Sequence, residues 1–329
     1  ISYAKYGYMF IAPFFIVYLI FQLYPLVYTV WLSFVENYYK GLQQIGPNFV
    51  GLNNYLSVLI DTDNNYQIVE GAKFLDTMTV MSIKNTLVMW IFNFVPQILL
   101  SLLLAAWFTD TTVKLKGQGA FKVIMFMPNI ITASTIAVLF YSLFNNSGPF
   151  TSVLRNLHII SQNYDFMESK AGTIGLIAFM QFWMWYGNTM IVLIAGILGI
   201  NPSLYEAAMV DGASSRQTFF SITLPLLKPI LQYTLVTSAI GGLQMYDIPA
   251  LFNVPETGLV GLPDDKTTTM AMYIMRLYNS DVGKAAAVSV VLFIITLVVS
   301  LILFATMSDS EDRRMKKEQK QRRKAGGRS

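Results

Sequence analysis

"LVMWIFNFVPQILLSLLLAAWF", residues 87–108, is an apolar run in which polarity never alternates. A hydrocarbon core about 30 Å thick is crossed by ~20 helical residues. A membrane β-strand would instead show ~10-residue segments of alternating polarity. A helix satisfies its own backbone hydrogen bonds, which lipid requires. The stretch therefore reads as a transmembrane helix.

Working outward, similar apolar stretches lie at 8–34, 86–109 (around the quoted run), 122–145, 172–200, 227–250 and 284–307. The expectation is an all-α integral membrane protein with six transmembrane helices. Composition agrees: the 329 residues are 54% hydrophobic and only 13% charged, where a soluble domain carries about 25% charged residues. Pro13, Pro25, Pro96 and Pro128 fall within or at the ends of spans. Each removes a backbone donor and is expected to bend its helix. The first run is longer than a signal-peptide core and lacks a small-residue cleavage site, so it is expected to stay as the first span.

Basic residues set the expected orientation. With the N-terminus inside, the inner segments hold Lys5, Lys114, Lys116, Lys122, Arg216, Lys228 and the tail cations from Arg313 to Arg328, 15 in all, against 8 in the outer loops. Both termini and segment 201–226 are thus expected in the cytoplasm. The domain reading is 1–35 as N-terminus and first span, 36–85 as an extracellular loop, 86–307 as the core, and 308–329 as a basic tail. That tail is charged and poor in apolar residues, suited to disorder or to anionic lipid. The outer loops 35–85, 146–171 and 251–283 contain apolar anchors such as "FVGLNNYLSVL" and are expected to be ordered.

Several chemistries are excluded. The chain has no cysteine and one histidine, His158, so disulfides, thiolate metal sites and the usual nucleophilic triads do not arise. No phosphate loop ending in Gly-Lys-Ser/Thr occurs, and "GQGAFK" at 117–122 has the wrong spacing. Asp264 and Asp265 lie beside Lys266 and read as solvated charge. Ion-coupled carriers place ionisable residues deep in their spans; only Asp247 comes close, near an outer end.

One polar segment interrupts the apolar pattern: "EAAMVDGASSRQTFFSITLPLLKP", residues 206–229. Ser203 and Glu206 have capping-box spacing, and so do Ser214 and Gln217. Gly212 offers a left-handed helix stop. The local reading is a two-turn helix, a glycine turn and a second helix leading into span five. So short a helix needs a surface to pack on. Either Glu206 only caps its helix and Gly212 only ends it, or Ala207, Ala208 and Gly212 form a small-residue patch, ringed by Glu206, Asp211 and Arg216, that docks on a cytoplasmic partner.

This segment resembles the EAA loop of membrane subunits from binding-protein-dependent ABC importers. The matching residues are Glu206, Ala207, Ala208, Gly212, Ile222, Leu224 and Pro225. "YPLVYTVWLSF" (24–34), "FVGLNNY" (49–55), "MYDIPALF" (245–252), "TTTMAMYIMRLY" and "VGKAAAVSVVL" are similar to the carbohydrate-type permeases. The loop "TGLVGLPDD" departs from the family's Gly-Gly-Pro run. The resemblance implies the type I importer architecture and a non-enzymatic permease subunit in the bacterial cytoplasmic membrane. The coupling loop would be Glu206, Ala207, Ala208, Asp211, Gly212 and Arg216, acting on the ATPase subunits. It also implies a second permease, two ATP-binding subunits that carry ATP and Mg, and an external binding protein delivering a sugar or oligosaccharide. Other solutes of the same family type, such as glycerol phosphate or a polyamine, stay open.

Sugars are held by aromatic faces and by side-chain amides and carboxylates. Span four offers Gln181, Trp183, Trp185, Tyr186 and Asn188; span five offers Gly241, Gly242, Gln244, Tyr246 and Asp247. The resemblance places these spans at the central cavity, with Trp185, Asn188 and Gln244 near its sugar contacts. The expected pathway is Trp185, Asn188, Gln244, Tyr246 and Asp247. Aromatic belts and interhelical amide bonds are the competing uses of such residues.

Overall fold

The computed structural model describes residues 4–41, 43–60, 62, 67–69, 77–110, 116–252 and 267–307. The charged tail, the Asp264–Asp265 pair and the loop "TGLVGLPDD" lie outside the described residues.

The first span runs from Tyr6 to Leu32. It is built from α1 (Ala4–Tyr18), a π-helical turn (Leu19–Leu23) and α2 (Tyr24–Leu32). The wide turn closes with the Tyr24 amide donating to the Leu19 carbonyl, immediately before Pro25. A proline ring clashes with the carbonyl four residues back, and the widened turn accommodates it. There follow β1 (Val35–Lys40) and β2 (Gln43–Phe49), an antiparallel hairpin, then α3 (Asn53–Leu59). The hairpin is a local departure from the all-helical expectation. Gly41, at φ 64°, makes its turn.

Next come α4 (Met78–Thr109), α5 (Gln118–Phe126), a 3-10 turn (Met127–Ile130), α6 (Ala133–Phe144), α7 (Pro149–Asn156) and α8 (Lys170–Leu198). The chain continues through α9 (Pro202–Val210), α10 (Ser215–Thr218), a second π turn (Phe219–Thr223), α11 (Leu224–Leu243), α12 (Asp247–Phe252), α13 (Met270–Tyr278) and α14 (Val282–Met307). The second π turn again precedes a proline, Pro225, with the Leu224 amide donating to the Phe219 carbonyl.

Among the described residues, five helices are long and apolar enough to cross a membrane, and up to six spans result if a bent helix pair is one span. The third span expected at 122–145, with a bend at Pro128, is broken outright. Gln118–Ile130 and Ala133–Asn156 meet at 91°. Pro128 opens the 3-10 turn, and Thr132 turns extended and caps α6 by accepting from the Thr135 amide. Span five also differs from 227–250. Its helix begins at Ser215, and α11 ends at Leu243, with Gln244 at φ −99°, ψ 17° before the chain restarts as α12.

The chain forms two compact units. In the first, Ile1–Thr86 with Glu256–Ile295, Val58, Met270, Val288 and Leu292 make the core. Buried Asn54 donates to the carbonyls of Ser33 and Val35 at 3.0 and 2.9 Å, and the Thr86 hydroxyl accepts from the Met270 amide at 2.9 Å. The second unit, Leu87–Pro255 with Thr296–Ser329, has two clusters. One gathers Met89, Ile136, Ile177, Met180 and Phe252; the other gathers Leu104, Met190, Leu193, Leu227 and Leu231. Both candidate regions below lie in this second unit.

Candidate coupling loop and solute cavity

The polar segment folds as a helix–turn–helix. Pro202 occupies the first helical position of α9, where a missing amide is harmless, so Asn201 becomes the cap and accepts from the Ser203 amide at 3.1 Å. The capping box expected between Ser203 and Glu206 does not form, and Glu206 has no capping task. At the other end Gly212 is left-handed at φ 71°. The Gly212 amide donates to Met209 and the Ala213 amide to Ala208, a Schellman closure. The second capping box does form: the Ser214 hydroxyl accepts from the Gln217 amide and the Gln217 side chain accepts from the Ser214 amide.

The small-residue patch divides. Ala208 is buried, while Ala207, Glu206, Asp211, Gly212 and Arg216 are exposed. Met209 and Val210 join the outer face, Val210 being 88% exposed. The inner side is held by the Tyr205 hydroxyl against that of Thr223, 3.2 Å apart. A cavity of about 760 Å³ opens between α9, α10 and the ends of α4 and α8. Trp107, Asp110, Glu206, Arg216 and Phe220 are among its lining residues.

A second cavity, about 530 Å³, lies among α4, α8, α11 and the start of α12. Trp185, Asn188, Gln244, Tyr246 and Asp247, the whole expected set, line it. Trp185, Asn188, Gln244, Tyr246 and Asp247 are exposed; Gln181 also lines it and is buried. Trp183 and Tyr186 do not belong to the lining. Trp183 packs against both apolar clusters, and the Tyr186 ring is buried beside Phe182. Helical geometry separates them: residues one apart point to different sides.

The close approach behind this cavity depends on Gly187. A Cβ there would lie 2.5 Å from the Met125 carbonyl oxygen, so only glycine lets α8 pass α5 at this point.

Residues 84–317 match the family described as binding-protein-dependent transport system inner membrane component. The chain belongs to that family. Among its relatives, the arabinooligosaccharides transport system permease protein AraP of Bacillus subtilis is 31% identical over 90% of this chain and 86% of its own length. The lactose transport system permease protein LacF of Rhizobium radiobacter is 28% identical, covering 91% and 92%. A bacterial ABC transporter involved in import of the acidic polysaccharide alginate has a solved chain with the same fold. Its TM-score is 0.68 at 22% identity, covering 92% of this chain and 95% of that one. The family match spans both the helix–turn–helix and the polar cavity.

For this inner membrane component, sequence reasoning missed two lining residues on α4, Asn93 and Gln97. Their signal was available: two amides four residues apart share one face of a helix inside the opening apolar run. The Gln97 amide donates to the Thr189 hydroxyl at 2.8 Å, and the next turn is joined by the Ser101 hydroxyl donating to the Tyr186 carbonyl at 2.7 Å. Met209 and Val210 were missed because apolar residues beside a membrane span do not stand out in sequence.

Proposed function

We propose that this chain is the permease subunit of an ATP-driven importer and forms half of the pathway for a sugar or oligosaccharide. The observation that carries the proposal is the gathering of Trp185, Asn188, Gln244, Tyr246 and Asp247 around one cavity, in a protein whose family serves binding-protein-dependent transport. Aromatic faces with amides suit pyranose C–H groups and hydroxyls. The names of the lactose and arabinooligosaccharide relatives support the sugar class.

The helix–turn–helix is the coupling element. Its outer face, Glu206, Ala207, Met209, Val210, Asp211 and Gly212, docks on an ATP-binding subunit, and Arg216 adds charge at the rim. Movement of that subunit on ATP hydrolysis reaches α11 through the rigid closure at Gly212 and the Tyr205–Thr223 contact. ATP and Mg belong to the partner subunits. A second permease completes the pathway, an external binding protein delivers the solute, and both termini face the cytoplasm.

Crosslinking tests the coupling role, because the chain has no native cysteine. Val210→Cys, treated with a short thiol-to-amine crosslinker in the assembled importer, yields an adduct with the ATP-binding subunit. Phe150→Cys yields none. Absence of the first adduct in a complex that hydrolyses ATP removes the coupling assignment. A glycan panel offered to the external binding protein names the solute, and failure to bind any glycan removes the sugar class.

A further inference from the structure

The short helix α7 has its polarity reversed. Its sequence, PFTSVLRN, puts Phe150 and Val153 on one side, continued by Leu157, and Thr151, Ser152, Arg155 and Asn156 on the other. The Leu157 amide donates to the Val153 carbonyl at 2.9 Å, so Leu157 closes the last turn. In a water-soluble domain the apolar side of such a helix faces the core. Here the polar side holds the protein. Thr151 is buried, and its hydroxyl donates to the Phe144 carbonyl at 3.0 Å. The Arg155 guanidinium turns inward: Nη1 donates to the Asn146 carbonyl and Nη2 to the Tyr164 carbonyl, each at 2.9 Å. Phe150, Val153, Leu157 and neighbouring Ile159 are left 52–65% exposed.

The position of α7 says what its apolar side meets. The Tyr164 hydroxyl donates to the Ser169 hydroxyl at 3.3 Å, and Ser169 caps α8. Arg155 therefore ties α7 to the first turn of a membrane span. That span has 29 residues, about 43 Å of helix, against a hydrocarbon core about 30 Å thick. Its ends reach the headgroups, and α7 stands at that level. Charge points the same way. Arg155 is the one charged residue of α7, and its guanidinium is engaged inward. The outer side thus offers no ionic group to steer or select a protein partner. The apolar phase that already surrounds the spans is lipid.

We propose that α7 is an interfacial membrane anchor, with Phe150, Val153, Leu157 and Ile159 inserted into the phospholipid leaflet at the membrane face where α8 begins. An amphipathic helix in that setting buries its apolar side about 5–10 Å into the boundary between headgroups and acyl chains. The anchor secures one end of the third span, which its 91° break leaves without a continuous helix across the bilayer. This inference does not depend on which solute the importer carries.

The test uses the complete importer, with the other subunits freed of cysteine, in nanodiscs of phosphatidylethanolamine and phosphatidylglycerol. Nanodiscs expose both membrane faces, so the result does not depend on which side α7 occupies. The chain has no native cysteine. Val153→Cys, Leu157→Cys and Ile159→Cys probe the apolar side, and Ser152→Cys and Asn156→Cys the polar side; all five positions are exposed. Each variant receives a nitroxide label, and its collisions with oxygen, which partitions into lipid, and with a water-soluble nickel chelate are measured. The ratio of oxygen to nickel collisions at Val153→Cys, Leu157→Cys and Ile159→Cys is expected to be several-fold higher than at Ser152→Cys and Asn156→Cys. Equal ratios on the two sides, with nickel collisions frequent throughout, would place α7 in water and overturn the proposal. Labels on the apolar side shielded from both reagents would mean that a protein subunit covers it, which overturns the lipid assignment as well.

Discussion

The Ala213 amide donates to the Ala208 carbonyl at 2.9 Å, reaching back over Gly212, whose φ of 71° makes that reach possible. The two ends of the turn are thereby fixed, with Ala208 buried beneath and Val210 fully outside. A loop closed in this way transmits force as a unit instead of absorbing it.

Substitution at Gly212 therefore separates backbone strain from steric bulk. A Cβ there meets nothing within 4 Å, so Gly212→Ala suffers only the left-handed backbone, about 1–2 kcal/mol. The expected result is normal membrane insertion with partly reduced uptake. Gly212→Trp adds a ring on the docking face and abolishes transport while basal insertion persists. Normal uptake by Gly212→Trp in whole cells would remove Gly212 from the coupling surface.

Gly187 and Gly175 lie on the same helix and make a paired test. A Cβ on Gly187 lies 2.5 Å from the Met125 carbonyl oxygen and 3.0 Å from the Phe126 Cα, both backbone, whereas one on Gly175 meets nothing within 4 Å. Overpacking against backbone costs about 1–3 kcal/mol, and replacing an open helical glycine with alanine contributes up to about 1 kcal/mol. Gly187→Ala is expected to lower the thermal midpoint of the detergent-purified importer, and Gly175→Ala to hold or raise it. Equal midpoints for the two variants would mean that α8 and α5 do not pack this closely.

How legible all this was in the sequence depends on the range of the forces involved. The turn at Gly212 and the box at Ser214–Gln217 are local chemistry, and both were readable from spacing. The start of α9 was misread because Pro202 moves the cap to Asn201, and a Ser-x-x-Glu spacing does not reveal that. The grouping of residues on α8 and α12 around one cavity was readable as polar and aromatic residues breaking an apolar pattern. Asn93 and Gln97 broke the pattern equally, yet their role depends on which face of α4 turns toward α8, a tertiary fact. The 91° break in span three follows from a proline and a threonine cap acting together; Pro128 alone announced only a bend.

Asp281 gives a pH signature. It precedes α14 and accepts from the Lys284 amide at 3.0 Å, with the Lys284 ammonium 3.7 Å away. Burial pushes its carboxyl above the ordinary aspartate value, and the Lys284 contacts only partly oppose this. A raised folded-state value favours the protonated form in the fold. The contribution is present in full below the ordinary value and is lost as pH rises through the raised one. Asp281→Asn keeps a capping oxygen and cannot ionise. The stability of the parent relative to Asp281→Asn should fall as pH rises through that window and stay flat above it, read as a difference of thermal midpoints. A difference that grows with pH instead would mean the lysine outweighs burial.

Orientation is checked with single cysteines at two exposed sites. Gln43 stands in the hairpin and Ser214 in the helix–turn–helix, and both are exposed. The excess of basic residues on the Ser214 side predicts that it is cytoplasmic. A membrane-impermeant maleimide applied to intact cells (spheroplasts, if an outer membrane is present) should label Gln43→Cys and spare Ser214→Cys until the membrane is opened. The reverse pattern would put the coupling loop outside, where no ATP-binding subunit can reach it.

The walls of the solute cavity are tested together. Asn188 and Gln244 come from α8 and from the break after α11, and both line the same cavity. Their amides can each give and take a hydrogen bond with one sugar hydroxyl. Losing one such bond should cost about 0.5–1.5 kcal/mol, so Asn188→Ala and Gln244→Ala each reduce uptake without abolishing it. Assembly and basal ATP hydrolysis stay near the parental level, because neither side chain is buried in the apolar clusters. Two sites gripping one rigid solute act on the same bound state, so the double variant loses at least the product of the single losses. An interhelical role would look different: the single variants would lower the thermal midpoint and basal hydrolysis along with uptake. Parental uptake in all three variants would move the solute contacts to the partner permease and leave this cavity a structural hollow.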